Sequence, residues 1–465
     1  MNKENDTEIT PSRWQSFRSV WHELVGSSTG SKVASKAQPE PLRAHIQACL
    51  EGQGGEVSAR QRAGKLARQY LAFGPEDQLV FLRLLQNEFG SDDEEVKSAI
   101  QTLQAAEDPV AVSAGRAHLR KVLEPARKRL LRQFNMFQSG ARFLVELRRE
   151  LLDLRKTAPD LKPLEVDIKE LLTEWFDVGF LQLEKITWDS PASLLEKVGR
   201  YEAVHPVRSW IDLKNRLESD RRCFAFFHPC MQDEPLIFIE VALVSGLADN
   251  IQTLLSNQHV ALDPETADTA IFYSISNTQR GLDGIGFGNF LIKQVVDRLQ
   301  KELPNLKQFA TLSPIPGFSR WLTDHLEEEL RTLSPKALKP LRTLADPLPI
   351  EEVVRNILGD PKWARNESYT KAMAPALRSL CARYLLNAKK PDGKRALDPV
   401  AHFHLTNGAR MQRLNWLANT STAALQQSAG MMINYLYRLD RIERFHEEYS
   451  GTGKINASST ITSLL

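Results

Sequence analysis

From about residue 42 to Phe176 apolar side chains recur at steps of three and four, as at Phe143, Leu144, Leu147, Leu151 and Leu154, the spacing that lines one face of an α-helix. Gly52, Gly54 and Gly55 interrupt the pattern before a helix predicted over Ala59–Phe73, and Gly74-Pro75 ends it. Ser91 with Glu94 forms an S-x-x-E capping box that starts another. Residues 42–176 are therefore expected to form an all-α bundle. Ahead of it, Gly26 to Pro41 holds small polar residues that bury nothing, so residues 1–41 read as a flexible lead-in.

After about Asp177 the texture changes. Cys223–Phe227 and Leu236–Val244 are short apolar runs joined by the turn-rich stretch His228–Pro235, and Thr269–Ser276 and Gln308–Ser313 are two more. Between the last two, Leu291, Val295 and Leu299 mark a helical face, so strand, loop, helix and strand form a βαβ unit with its strands parallel. Helical patterning returns over Ser334–Leu386 and again over Arg410–Leu439. Residues 177–465 thus read as an α/β sheet domain with a long helical insertion, and the whole chain as an α+β multidomain protein.

Composition narrows the function classes. The 465 residues suit two to three domains, and 42% hydrophobic with 25% charged residues describes a globular chain rather than a disordered one. Lys and Arg total 60 against 58 Asp and Glu, which gives no global reason to expect nucleic acid or an anionic membrane as partner. The longest apolar stretch, Pro235–Val244, contains Glu240 and falls far short of the roughly 20 residues of a membrane span. Arg142, Arg148, Arg149, Arg155 and Lys156 punctuate one long helix. With Glu146, Glu150 and Asp153 at helical spacing they read as exposed pairs on a solvated or oligomer surface rather than a nucleic-acid groove. The acidic start Met1-Asn-Lys-Glu-Asn-Asp is unlike a secretory signal, and four cysteines without a CxxC pair point to the cytoplasm. His228 and Cys230, as a lone pair, read as structural rather than as metal ligands.

The connection Asn277-Thr-Gln-Arg-Gly-Leu-Asp-Gly-Ile-Gly-Phe-Gly-Asn289 places four glycines between a strand and a helix. Glycine lets phosphate oxygens approach backbone amides at a helix start, so the position favours an anion. A dinucleotide fold would need G-x-G-x-x-G and repeated βαβ units, and a P-loop would need its lysine earlier than Lys293. The spacing Asp283-x-x-Gly286-x-Gly288 instead resembles the pyrophosphate loop of GNAT-type acetyltransferases, where amides cradle coenzyme A.

Two further segments sharpen the resemblance: Thr311-Leu-Ser-Pro-Ile-Pro-Gly-Phe318 and Asp398-Pro-Val-Ala-His-Phe-His-Leu-Thr-Asn-Gly-Ala-Arg410. With Ala270–Ser276, Gly288–Lys293 and Glu202-Ala-Val-His-Pro-Val207, they look like malonyl-CoA decarboxylases over about Thr173 to Tyr437. The resemblance implies a helical oligomerisation domain (42–176) and a GNAT-like catalytic domain (177–465). It also implies decarboxylation of malonyl-CoA to acetyl-CoA in a homo-oligomer, dimer or tetramer, without a cofactor or metal. Animal members carry a glutamate where this chain has Gly286 and end in a peroxisomal tripeptide that is absent here, so a cytoplasmic location is expected. The alternatives are an N-acyltransferase using the same loop and a non-catalytic acyl-CoA-binding scaffold.

Carried over by position, the resemblance assigns proton handling to Ser313 and His404. It assigns CoA binding to Asp283, Gly284, Ile285, Gly286, Phe287, Gly288 and Asn289. On residue pattern alone, Ser313 before a proline reads as a turn or cap residue. His402 and His404, two apart on an expected strand, would face one side, a spacing metals use, but no third ligand converges on them. Ser274 and Ser276, on the strand entering the loop, and Asn434 and Tyr437, in a late segment, are supporting candidates that could equally serve the core.

Overall fold

Pro39, Pro75 and Pro109 each open a helix, where a fixed φ and a missing N–H cost nothing. The computed structural model describes residues 37–51, 55–135, 139–256, 260–286, 291–360 and 362–465. Two compact units emerge: one runs to Phe176 and includes Arg280–Ile285, the other comprises Asp177–Gln279 and Gly286–Leu465.

The first unit contains α1 (Pro39–Leu50), α2 (Gly55–Ala72), α3 (Pro75–Glu88), α4 (Asp93–Gln104) and α5 (Pro109–Val122). It continues with α6 (Ala126–Phe134), α7 (Gly140–Leu154) and α8 (Lys162–Trp175). Residues 39–41, expected in the lead-in, belong to α1 because prolines fit its first turn; most of the lead-in lies outside the described residues. Asp92 rather than Ser91 caps α4, its carboxylate accepting from the Glu94 and Glu95 amides at 2.9 and 3.1 Å. Tyr70, Phe81, Phe134, Phe143, Leu147 and Ile168 fill the core, with Phe134 and Phe143 edge to face at 5.0 Å. Arg127 and Asp167, both buried and 2.7 Å apart, tie α6 to α8.

The arginines of α7 divide. Arg149 pairs with Glu146 and Asp153 as helical spacing predicts. Arg148 is buried rather than solvated, because its partner is Glu165 of α8 at 2.8 Å, out of reach of a helix-surface reading. Leu103 of α4 packs on Gly115 of α5, yet this hairpin leaves Ile100, Val110 and Leu123 exposed.

In the second unit β1 (Gln182–Ile186), β2 (Arg221–Phe227), β3 (Ile237–Val244) and β4 (Thr269–Asn277) pair antiparallel in sequence order. The continuous apolar runs of β2 and β3 are buried almost throughout, as expected for strands covered on both faces. Helix Leu291–Glu302 crosses from β4 to β5 (Gln308–Thr311), which is parallel to it as the βαβ reading expects. Their pairing covers only Thr269–Phe272. Beyond it β4 runs on to Asn277, while the other strand breaks at Leu312 and resumes as β6 (Ser313–Pro314). Two parallel strands that part, with the glycine loop after the first, give the acetyltransferase-type arrangement.

The sheet is completed by β7 (Arg410–Asn415) and β8 (Met432–Tyr437), with β8 pairing β5 and β6 on one side and β7 on the other. This corrects the helical reading of Arg410–Leu439, where only Thr422–Ser428 is an α-helix. Leu417 and Gly430, at positive φ of 49° and 75°, turn the chain on either side of that short helix, so no continuous helix can form. The helical insertion comprises Phe318–Arg331, Pro335–Ala345, Ile350–Gly359 and Glu367–Asn387. Among the described residues, no helix is long and apolar enough to cross a membrane.

Candidate active site

The break at Leu312 places Ser313 on β6, opposite Ile433 of β8. Asp398-Pro399 starts a helix, Pro399–Thr406, with the aspartate as cap and the proline in the first turn, and His404 lies in its last turn. The two side chains, 91 residues apart in sequence, meet: His404 Nε2 is 3.0 Å from Ser313 Oγ. The other ring nitrogen, Nδ1, is 2.7 Å from the Tyr437 hydroxyl. Tyr435, two residues earlier on β8 and so on the same face, stacks on the imidazole with ring centroids 4.5 Å apart. Both Ser313 and His404 are buried.

Hydrogen-bond satisfaction orders the protons. Among the described residues the Tyr437 hydroxyl has only Nδ1 as partner, so it donates there and leaves the imidazole proton on Nε2, facing Ser313. Ser313 Oγ accepts that proton and donates its own to Thr311 Oγ1 at 2.8 Å. Thr311 Oγ1 is fixed by the Tyr435 amide at 3.1 Å. Burial pushes the His404 pKa down to about 3, so the ring is neutral at neutral pH. The result is a chain of neutral donors that runs from the Tyr437 hydroxyl through the imidazole and the Ser313 hydroxyl to Thr311 Oγ1.

Asp398 holds the two halves of this chain together. One carboxylate oxygen accepts from the Val400 and Ala401 amides at 3.0 and 2.9 Å, and the other from the Gly317 amide and the Tyr384 hydroxyl, both at 3.3 Å. The helix bearing His404 is thereby tied to the turn after Ser313. A Cβ on Gly317 would lie 2.1 Å from the Tyr384 oxygen, which explains the glycine in Ser-Pro-Ile-Pro-Gly-Phe. Thr311, Tyr435 and Asp398 were not singled out in the sequence, although Asp-Pro is a usable helix-start signal.

Other candidates fall elsewhere. His402 and His404 sit on a helix rather than a strand, so they point to different sides, and His402 Nδ1 pairs with the Tyr449 hydroxyl at 2.8 Å. Ser274 bonds Glu202 at 2.7 Å, with Ser276 at 3.4 Å from the same oxygen; both serve this buried carboxylate rather than His404. Asn434, on the opposite face of β8 from Tyr435, bonds the Thr311 and Ala248 carbonyls at 2.7 and 2.9 Å and so braces the strand bearing Thr311. His228 Nδ1 accepts from the Cys230 amide at 3.2 Å.

In the glycine loop, Arg148 donates to the Gly281 and Asp283 carbonyls at 2.7 and 2.9 Å. Gly281 is pressed on α7 so closely that a Cβ would lie 1.8 Å from the Val145 carbonyl oxygen. The Asp283 and Ile285 amides turn back to the Arg280 and Leu282 carbonyls, whereas among the described residues the Gly284 and Gly286 amides have no protein partner. Gly284 sits at φ +73°, and Gly286 faces open space. Burial raises the pKa of the Asp283 carboxyl. Phe287, Gly288 and Asn289 lie outside the described residues.

Family models match both units: the malonyl-CoA decarboxylase C-terminal domain over residues 179–465, and the malonyl-CoA decarboxylase N-terminal domain over residues 89–176. Mitochondrial malonyl-CoA decarboxylase of Anser anser anser is 38% identical over 427 residues, covering 88% of this chain and 84% of the relative. That of Rattus norvegicus is 35% identical over 464 residues, covering 95% and 92%. The crystal structure of malonyl-CoA decarboxylase from Rhodopseudomonas palustris superposes with a TM-score of 0.83 at 40% identity, covering 92% of this chain and 99% of that one. With domain models matched on both units and such similarity along nearly the whole length, the chain belongs to the malonyl-CoA decarboxylase family.

Proposed function

We propose that the chain converts malonyl-CoA to acetyl-CoA and carbon dioxide, with His404 and Ser313 handling the proton. The bond between the carboxylate carbon and the α carbon breaks, and that carbon leaves as carbon dioxide. The electron pair moves onto the thioester carbonyl oxygen as an enolate, so the substrate supplies its own electron sink. When the enolate collapses, the α carbon takes the Ser313 hydroxyl proton, His404 Nε2–H replaces it on Oγ, and the Tyr437 hydroxyl proton moves to Nδ1, so the imidazole stays neutral. Solvent returns one proton to the site as products leave, which closes the balance at one proton consumed per turnover.

The observation that carries this reading is the 3.0 Å contact between Oγ and Nε2, buried and braced by Tyr437, Thr311 and Asp398. Asp283 to Asn289 bind the CoA moiety, a reading supported by the Gly284 and Gly286 amides, which have no protein partner among the described residues. The protein is a homo-oligomer, dimer or tetramer, supported by the apolar side chains that α4 and α5 leave exposed. Four cysteines in 465 residues, with no CxxC pair, suit a reducing compartment such as the cytoplasm.

The test is release of labelled gas from malonyl-CoA carrying the label in its free carboxyl group, with nothing else added. Carbon dioxide and acetyl-CoA in equal amounts are expected. An acyltransferase would require an amine acceptor, and a regulatory scaffold would bind the ester without releasing gas; either behaviour would overturn the reading.

A further inference from the structure

The glycine loop is anchored from one side by α8. Lys162, Glu165 and Lys169 recur at three and four residues, so they form one stripe along that helix. Glu165 engages Arg148, which in turn bonds the Gly281 and Asp283 carbonyls. Lys169 Nζ lies 3.6 Å from where a Cβ of Gly284 would be, placing an ammonium against the loop residue whose amide has no partner among the described residues. At the other end of the stripe, Lys162 borders a recess of about 460 Å³ walled by Leu151, Leu152, Ala158, Pro159 and Leu161, with Arg155, Lys156 and the Arg148-paired Glu165 also on it.

The charge balance around this stripe is one-sided. Glu165 is taken by Arg148, Asp153 by Arg149 and Arg280, and Asp160 by Arg83. The Asp283 carboxyl stands near Arg280 and Arg148. Among the described residues Arg155, Lys156, Lys162 and Lys169 make no ion pair, so four cations remain along an apolar recess and a loop with open amides. Lys162 and Lys169 are two turns apart, about 10 Å along the helix axis, on the scale of a nucleoside carrying phosphates at both ends. The recess volume lies within the range of small-molecule sites, roughly 300–1,000 Å³.

We propose that Lys169 and Lys162 bind the phosphates of the nucleotide end of CoA: Lys169 the diphosphate at Gly284, and Lys162 with Arg155 and Lys156 the ribose phosphate, with the adenosine against the leucines. This rests on the reading of the chain as a CoA-ester enzyme and adds residues outside the glycine loop to it. The probe is adenosine 3′,5′-diphosphate, whose binding is measured by calorimetry without reference to turnover. Losing one charge-assisted phosphate contact weakens binding by about tenfold or more, so Lys169→Gln and Lys162→Gln should each show that loss. Lys169→Arg should restore most of it. In turnover, the preference for malonyl-CoA over malonyl-pantetheine, as a ratio of kcat/KM, should fall by a similar factor in the glutamine variants. Unchanged affinity for the bisphosphate and an unchanged substrate ratio would overturn the proposal. A wild-type protein that binds the bisphosphate yet releases no gas from malonyl-CoA would overturn the decarboxylase reading instead.

Discussion

A histidine buried between two tyrosines and a serine is neutral for a physical reason: the charged form loses its hydration and meets no carboxylate in exchange. That neutrality decides how the site responds to pH. With the His404 pKa pushed down to about 3, the neutral ring is the form present throughout the range from about pH 5 to 8, well above its protonation. The Tyr437 hydroxyl, raised well above its ordinary value by burial, also keeps its proton there. A plot of kcat/KM against pH should therefore be flat with respect to this pair between about pH 5 and 8; a limb with a pKa near 6.5 would mean that the free enzyme holds an ordinary histidine. At this scale the sequence carried little by itself. Ser313 before a proline reads locally as a turn residue, and only the similarity of its segment to a family distinguished it. Its meeting with His404 spans 91 residues and is not encoded in any local spacing.

Elements were more legible where burial is two-sided. The runs Cys223–Phe227 and Leu236–Val244 read correctly because strands covered on both faces need apolar residues continuously. The six-residue strands β7 and β8 did not, since short apolar runs beside a short helix fit either period. Arg148 illustrates the same limit: its spacing to nearby acids suggested a surface pair, but its carbonyl partners lie 133 and 135 residues away. Because Arg148 fixes those carbonyls and Gly281 is pressed on α7, the loop should tolerate no side chain at 281. Gly281→Ala would place a Cβ 1.8 Å from the Val145 carbonyl oxygen, so the loop must shift. Steady-state kinetics should then show a higher KM for malonyl-CoA, by about tenfold, with a smaller change in kcat. An unchanged KM would show that the loop's seat on α7 does not govern substrate binding.

For the molecule as a whole, the hydrophobic pattern separated a helical half from a sheet-bearing half, because the period of apolar residues changes near Asp177. What pattern could not supply is which surfaces remain open after folding. Val110 is 79% exposed, and with Ile100 and Leu123 it leaves the α4–α5 hairpin apolar toward solvent. If this face is the seam of the proposed homo-oligomer, charges introduced there, as in Ile100→Asp with Val110→Asp, should give a smaller species in light scattering than the parent chain, whereas an unchanged mass would rule this face out as the interface. The central claim is that Ser313 and His404 together deliver the proton to the α carbon. It is tested most directly by measuring labelled carbon dioxide release and CoA-ester binding side by side in Ser313→Ala and His404→Asn. The account predicts a loss of turnover of about 10²- to 10⁴-fold in each variant with binding nearly retained. Turnover close to wild type in either one would contradict it.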